Sequence, residues 1–368
     1  MKKEIEVLTG LRGISALWVI FHHYFSLPHS QNIALKAIEN TLSNGYLAVD
    51  FFFILSSFVL CYSYEKYFTK GIKRDHYKEF IIKRFIRIYP MLIFIVLISF
   101  LFLFKDHWRY FPFYISLTFI FLAEKYRVIN SLGITWSLSC ELILYFIFPF
   151  LFLYFQKRKH YLILIIPLAI ILFYSVYFFD TITFSTKGLV YENIHNSKGL
   201  INTPYGLSAV VRCFAGYLLG ILSFHFYKSG RIINISWGLF IILISLLLKK
   251  MDVIILIFFS FTLSSIIQQP QIFISKILSS KWTLFLGKIS YSIYLIHIIP
   301  LLILDSHKTY LLQFLPLFVY KFFCIILTIG ISVITYYMIE IRFSQFLKNF
   351  FINKHPENKH LKAPLHKK

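Results

Sequence analysis

Long apolar runs separated by short basic segments set the pattern of this chain. The runs lie near 8–27, 46–65, 88–104, 135–155, 161–179, 205–227, 232–248, 251–268, 282–303 and 311–338. Each is long enough, at about 17 residues or more, for a helix that crosses a bilayer. The pattern predicts an all-α polytopic membrane helical bundle of about ten transmembrane helices. A shorter apolar stretch at 110–123 is settled by charge. If it does not cross, 26 of the 38 Lys and Arg fall on one side and 10 on the other, with Arg212 and Lys321 inside spans. If it crosses, QKRKH (156–160) and the Lys-rich C-terminal segment change sides. Basic residues stay cytoplasmic. Residues 110–123 are therefore expected as a re-entrant or outward-lying hairpin, buried in protein or lining a cavity. The same count places both termini in the cytoplasm. The expected domains are a membrane domain over 1–343 and a basic, disordered tail over 344–368.

Against that background a few side chains stand out, because hydrocarbon tolerates ionisable groups poorly and those present mark function. The first run, LTGLRGISALWVIFHHYFSL, carries Arg12 near one end and His22 and His23 near the other. At roughly 100° and 1.5 Å per residue, Arg12 and His23 fall within about 20° of one line and about 16 Å apart along the helix. His22 points about 100° away from that line and is set aside. Asp50 in GYLAVDFFFILSSF, Glu141 in TWSLSCE and His297 in GKISYSIYLIH fall, with His23, at one predicted depth near the outer ends of four spans. Ser290, Tyr294 and His297 share a helical face at i, i+4 and i+7. At the opposite membrane surface KRFIRIYP sets Arg84 and Arg87 three residues apart, where two guanidiniums suit a phosphate. Cations at one side and His plus carboxylates at the other point to a ligand whose charged end stays inside while its reactive end reaches outward.

Composition changes this picture little. The chain is 58% hydrophobic and 20% aromatic, so membrane lipids are its surroundings. The net charge of +22 comes from clusters between spans and does not indicate nucleic acid. Cys61, Cys140, Cys213 and Cys324 lie in apolar runs without CxxC spacing, giving neither a disulfide framework nor a metal site. No small-residue cleavage site follows Leu27, so the first run is not read as a signal peptide. The polar loop 180–204 is expected to cap the acceptor side.

Taken together these segments resemble the acyltransferase 3 family of integral membrane O-acyltransferases. The spacing from Arg12 to His23 is similar to the family's first-span signature, and GYLAVDFFFILSSF to its second-span motif, with Ser57 where Gly is usual. KRFIRIYP, TWSLSCE and LGKISYSIYLIH are similar to three further motifs, in family order. The resemblance implies transfer of an acyl group, most often acetyl from acetyl-coenzyme A, to a hydroxyl of an extracytoplasmic glycan. The acceptor expected is O-antigen, capsule, exopolysaccharide or a lipid-linked precursor, at a bacterial cytoplasmic membrane. On that basis Arg12, Arg84 and Arg87 are expected to hold the donor, with no metal required. His23 is the expected base or covalent acyl carrier, oriented by Asp50 or Glu141. Trp136, Tyr294 and His297 are expected at the sugar. The competing class is a transporter or flippase for a lipid-linked saccharide. That class favours inverted repeats and broken helices in matching halves, which this chain does not show.

Overall fold

The computed structural model describes residues 5–25, 32–122, 132–179, 181–185, 188–192, 201–248, 251–305 and 316–353. A helix occupies each of the ten apolar runs. They are α1 (Glu6–Tyr24), α3 (Leu47–Phe68), α4 (Arg74–Ile98), α6 (Trp136–Lys157), α7 (Ile165–Phe178), α8 (Gly206–Lys228), α9 (Ile235–Leu247), α10 (Asp252–Gln268), the pair α12 (Lys281–Ile296) and α13 (Ile298–Asp305), and α14 (Leu317–Thr335). Short helices α2 (Ile33–Ser43), α5 (Phe111–Ile115), α11 (Phe273–Leu278) and α15 (Ser344–Lys348) connect or extend them. Such apolar runs fold as helices because lipid offers no partner for backbone N–H and C=O groups. This is an all-α membrane bundle.

Two helix pairs form its centre, α1 against α12 and α3 against α8, with α6 and α10 packed on α8. The α1–α12 contact is made nearly backbone to backbone. A methyl at Gly287 would meet the Thr9 carbonyl oxygen at 1.9 Å, and one at Gly13 would meet the Gly287 nitrogen at 2.6 Å. Small residues permit this approach where the bilayer supplies no hydrophobic drive between helices. Helix α12 starts at a Ser280 N-cap whose hydroxyl accepts from the Thr283 N–H, and it stops at Ile296. Pro300 lacks an N–H for the Ile296 carbonyl, so the helix breaks there and restarts as α13. His297 sits at that break.

The stretch 110–123 does not form a crossing helix. Through Phe121 it consists of α5 between turns of 3₁₀-helix at Lys105–Tyr110 and Phe119–Phe121, with Leu117 left-handed at φ 59°. Tyr110, Tyr114, Phe119 and Ile120 are buried, as expected of irregular backbone covered by protein. Ala123 lies outside the described residues. The loop 180–204, expected as a polar cap, contains an antiparallel hairpin, β1 (Thr181–Ser185) and β2 (Gly188–Glu192). Alternating TITFS and the strand-forming Val190 and Tyr191 after Gly188 carried that signal. The Thr181 hydroxyl accepts from the Ser208 N–H at 3.2 Å and so anchors the start of α8. The start of the tail, expected as disordered from residue 344, is ordered. Helical winding continues to Asn353, with Phe343, Phe346 and Phe350 stacked at i, i+3 and i+7 spacing. Residues 354–368 lie outside the described residues.

Candidate active site

One face of α3 lines a cavity of about 140 Å³ with Val49, Phe52, Phe53, Ser56, Val59 and Leu60. The eleven helical rises from Val49 to Leu60 make that face about 16 Å long. Because Lys or Arg in hydrocarbon needs a reason, the cations at one end are informative. Arg12 of α1 and Arg84 and Arg87 of α4 all line it, as the sequence grouping predicts. Arg84 takes the Tyr64 hydroxyl at 3.3 Å and lies over the rings of Tyr64, Phe80 and Tyr145 at 5.6–5.8 Å. Arg87 pairs with Glu340 at 2.5 Å. Arg12 has no hydrogen-bond partner among the described residues; its charged neighbours are Arg87, Glu340 and Glu141. Lys83 and Lys348 stand near the same group.

Glu141 lines the middle of the cavity. The Ser56 hydroxyl donates to its Oε1 at 2.5 Å, and the Tyr217 hydroxyl reaches the same oxygen at 3.5 Å. Three guanidiniums against the carboxylates of Glu141 and Glu340 leave one positive charge over. That excess of positive charge suits an anionic group.

The far end is closed by Ser137 of α6 and by Ser290 and Tyr294 of α12. The Tyr294 hydroxyl donates to the Ile134 carbonyl at 2.7 Å and meets Ser137 Oγ at 2.9 Å. Just beyond it, 6.0 Å from ring to ring, lies His297, and His23 lies 5.1 Å from His297. The Nδ1–H of His297 donates to the Tyr294 carbonyl at 2.7 Å. That fixes the neutral tautomer and leaves Nε2, buried without a partner, as an acceptor. His23 is exposed at this end. His22 takes the other side of α1, donating from Nδ1 to the Leu42 carbonyl at 2.9 Å.

The predicted ring of four titratable groups is thus divided. Neither expected carboxylate orients His23. Asp50 is fully buried and bound by Arg212, which donates from Nε to Oδ1 at 2.8 Å and from Nη2 to Oδ2 at 2.5 Å. The Arg212 guanidinium lies 5.0 Å over the Trp136 ring, and Phe53 meets that ring edge-on at 5.8 Å. Trp136 is buried beneath these groups instead of presenting a face to a sugar. The physical reason is common to both corrections. A buried guanidinium needs a carboxylate and accepts an aromatic face, and Arg212 claims both residues. Sequence spacing left Arg212 without a role and did not single out Glu340, since their partners lie 162 and 253 residues away.

An 85-residue segment, 23% of this chain, is 34% identical to "Protein 2 in picA locus" of Rhizobium radiobacter, and the match spans 38% of that relative's length. No solved structure matches the chain. A family model described as an acyltransferase domain matches residues 5–337, which include every residue of the cavity. The chain belongs to the acyltransferase 3 family.

Proposed function

We propose that this acyltransferase takes an acyl group, most often acetyl, from cytoplasmic acyl-coenzyme A. The acceptor is a hydroxyl of an extracytoplasmic or lipid-linked glycan. The observation that carries the reading is one cavity, about 16 Å long on α3, that runs from three guanidiniums to the wall backed by two histidines. A donor with a phosphorylated head and a long, neutral arm suits that shape and charge. The basic residues concentrated beside the Arg84 end support placing that end, with both termini, at the cytoplasmic face of a bacterial inner membrane.

In this scheme Arg84 and Arg87 hold the phosphates with Arg12 deeper in the cavity, and the arm lies along α3. His23 takes the proton from the sugar hydroxyl as its oxygen attacks the thioester carbonyl. The C–S bond then breaks, and the imidazolium returns its proton to the leaving thiolate. His297, not a carboxylate, is the neighbour that positions His23. Tyr294 separates the cavity from the histidines, so its ring must turn or the arm must pass it for the acyl group to arrive.

The test is the mass of the surface glycan from a host lacking this chain. Loss of one acyl group per modified sugar, restored by the wild-type chain, is the expected result. A glycan of unchanged mass but altered amount or location points to export and refutes the reading.

A further inference from the structure

Arg87 faces the cavity, yet a group outside the cavity wall fixes it. Glu340 lies in a stretch of wide π-helical turns, Tyr336–Phe343, that continues α14, and it is the buried side chain of that stretch. Such turns recur at functional sites because they re-aim a side chain at the cost of regular hydrogen bonding. Here the aimed group is a carboxylate with both oxygens engaged. Oε1 accepts from Arg87 Nη1 at 2.5 Å, and Oε2 accepts from the buried Ser292 hydroxyl of α12 at 3.1 Å. The face of the same guanidinium lies 5.2 Å over the Tyr291 ring, whose hydroxyl donates to the Ile88 carbonyl at 2.8 Å. Arg87 is therefore held at one edge and on one face. A guanidinium has five N–H donors, so most stay available to a ligand. Among the described residues, neither Arg12 nor Arg84 has a carboxylate partner.

We propose that Glu340 is a positioning residue for the donor phosphates. It presents a preordered Arg87 to the cavity before the donor arrives. Ordering a long side chain in advance lowers the entropic cost of binding. The carboxylate stands behind the guanidinium and does not line the cavity, so the arriving phosphate meets the cation first. The inference rests on reading the cavity as the coenzyme A site.

The test is calorimetric binding of coenzyme A to the purified full chain in detergent. The variants are R87A, the pair R84A/R87A, E340A, E340D, E340Q and the double R87A/E340A. E340A is expected to weaken binding about tenfold, the scale of one charge-assisted hydrogen bond. E340D recovers part of this loss. In turnover, E340A raises the donor KM more than it lowers kcat. The double variant binds no worse than R87A alone, because both changes remove one arrangement. If E340A folds poorly, E340D and E340Q carry the comparison. Weaker binding by R87A with unchanged binding by E340A overturns the positioning role and leaves the donor site standing. Tighter binding by E340A, or a double variant weaker than R87A, also overturns it. If R84A/R87A binds coenzyme A like wild type, the donor reading itself fails.

Discussion

Replacing Asp50 with Ala separates two roles for that residue. The structure gives Asp50 a partner, Arg212, with both groups at 0% exposure and two direct bonds at 2.5 and 2.8 Å. Removal leaves the guanidinium with its bond to the Tyr46 carbonyl at 3.2 Å and the Trp136 ring, while Nη1 already has no partner. Breaking such a buried pair from one side costs about 3–5 kcal/mol. That is a large share of the roughly 5–15 kcal/mol that holds a typical protein folded. Asp50→Ala should therefore lower both membrane level and the midpoint of thermal unfolding, read by heating the detergent-purified chain and measuring the surviving monodisperse peak. The double variant Asp50→Leu, Arg212→Met removes both charges, and apolar replacement of a whole buried pair is often neutral. It should recover most of the lost midpoint and retain glycan acylation in proportion to folded protein. A double variant that folds like wild type but transfers no acyl group refutes the structural assignment and returns Asp50 to the chemistry.

Other outcomes follow from the same geometry. His23→Ala should abolish acylation with membrane level unchanged, because the exposed imidazole has only ring neighbours among the described residues; wild-type product mass ends the proposed scheme. Arg84→Ala with Arg87→Ala should weaken coenzyme A binding more than binding of the glycan acceptor, measured separately by calorimetry. Gly287→Ala forces a methyl against the Thr9 backbone at 1.9 Å. Overpacking of this kind costs about 1–3 kcal/mol or more, and the thermal midpoint should fall accordingly. An unchanged midpoint would mean that α1 and α12 part without penalty.

What the sequence made legible followed from local rules. Apolar length predicted the helices, charge asymmetry kept 110–123 from being counted as a crossing, and helical spacing put Arg12, Arg84 and Arg87 where one cavity collects them. His23 and His297, predicted at one depth, do meet. The illegible part is pairing between distant helices. Nothing in the spacing around Asp50 says that Arg212 will reach it, and nothing around Tyr336–Phe343 says that wide turns will aim Glu340 at Arg87. Depth along the membrane is a one-dimensional coordinate, readable from a sequence. Azimuth within the bundle is set by which helices touch, and that depends on small residues such as Gly13 and Gly287 meeting across the fold.

The near-contact of α1 and α12 backbones has a consequence for donor choice. With no side chain between them at Gly13 and Gly287, neither helix can slide past the other without atomic overlap. Arg12 and His23 ride on one of these helices, Tyr294 and His297 on the other. The separation between Arg12 and the histidine pair is therefore a fixed length, a ruler of about 16 Å built into two joined rods. A fixed ruler measures whatever is laid on it. If the cavity takes the proposed donor, a thioester with a truncated arm would satisfy the charges and still fall short of the histidines, and the fold would select donors by reach as well as by charge.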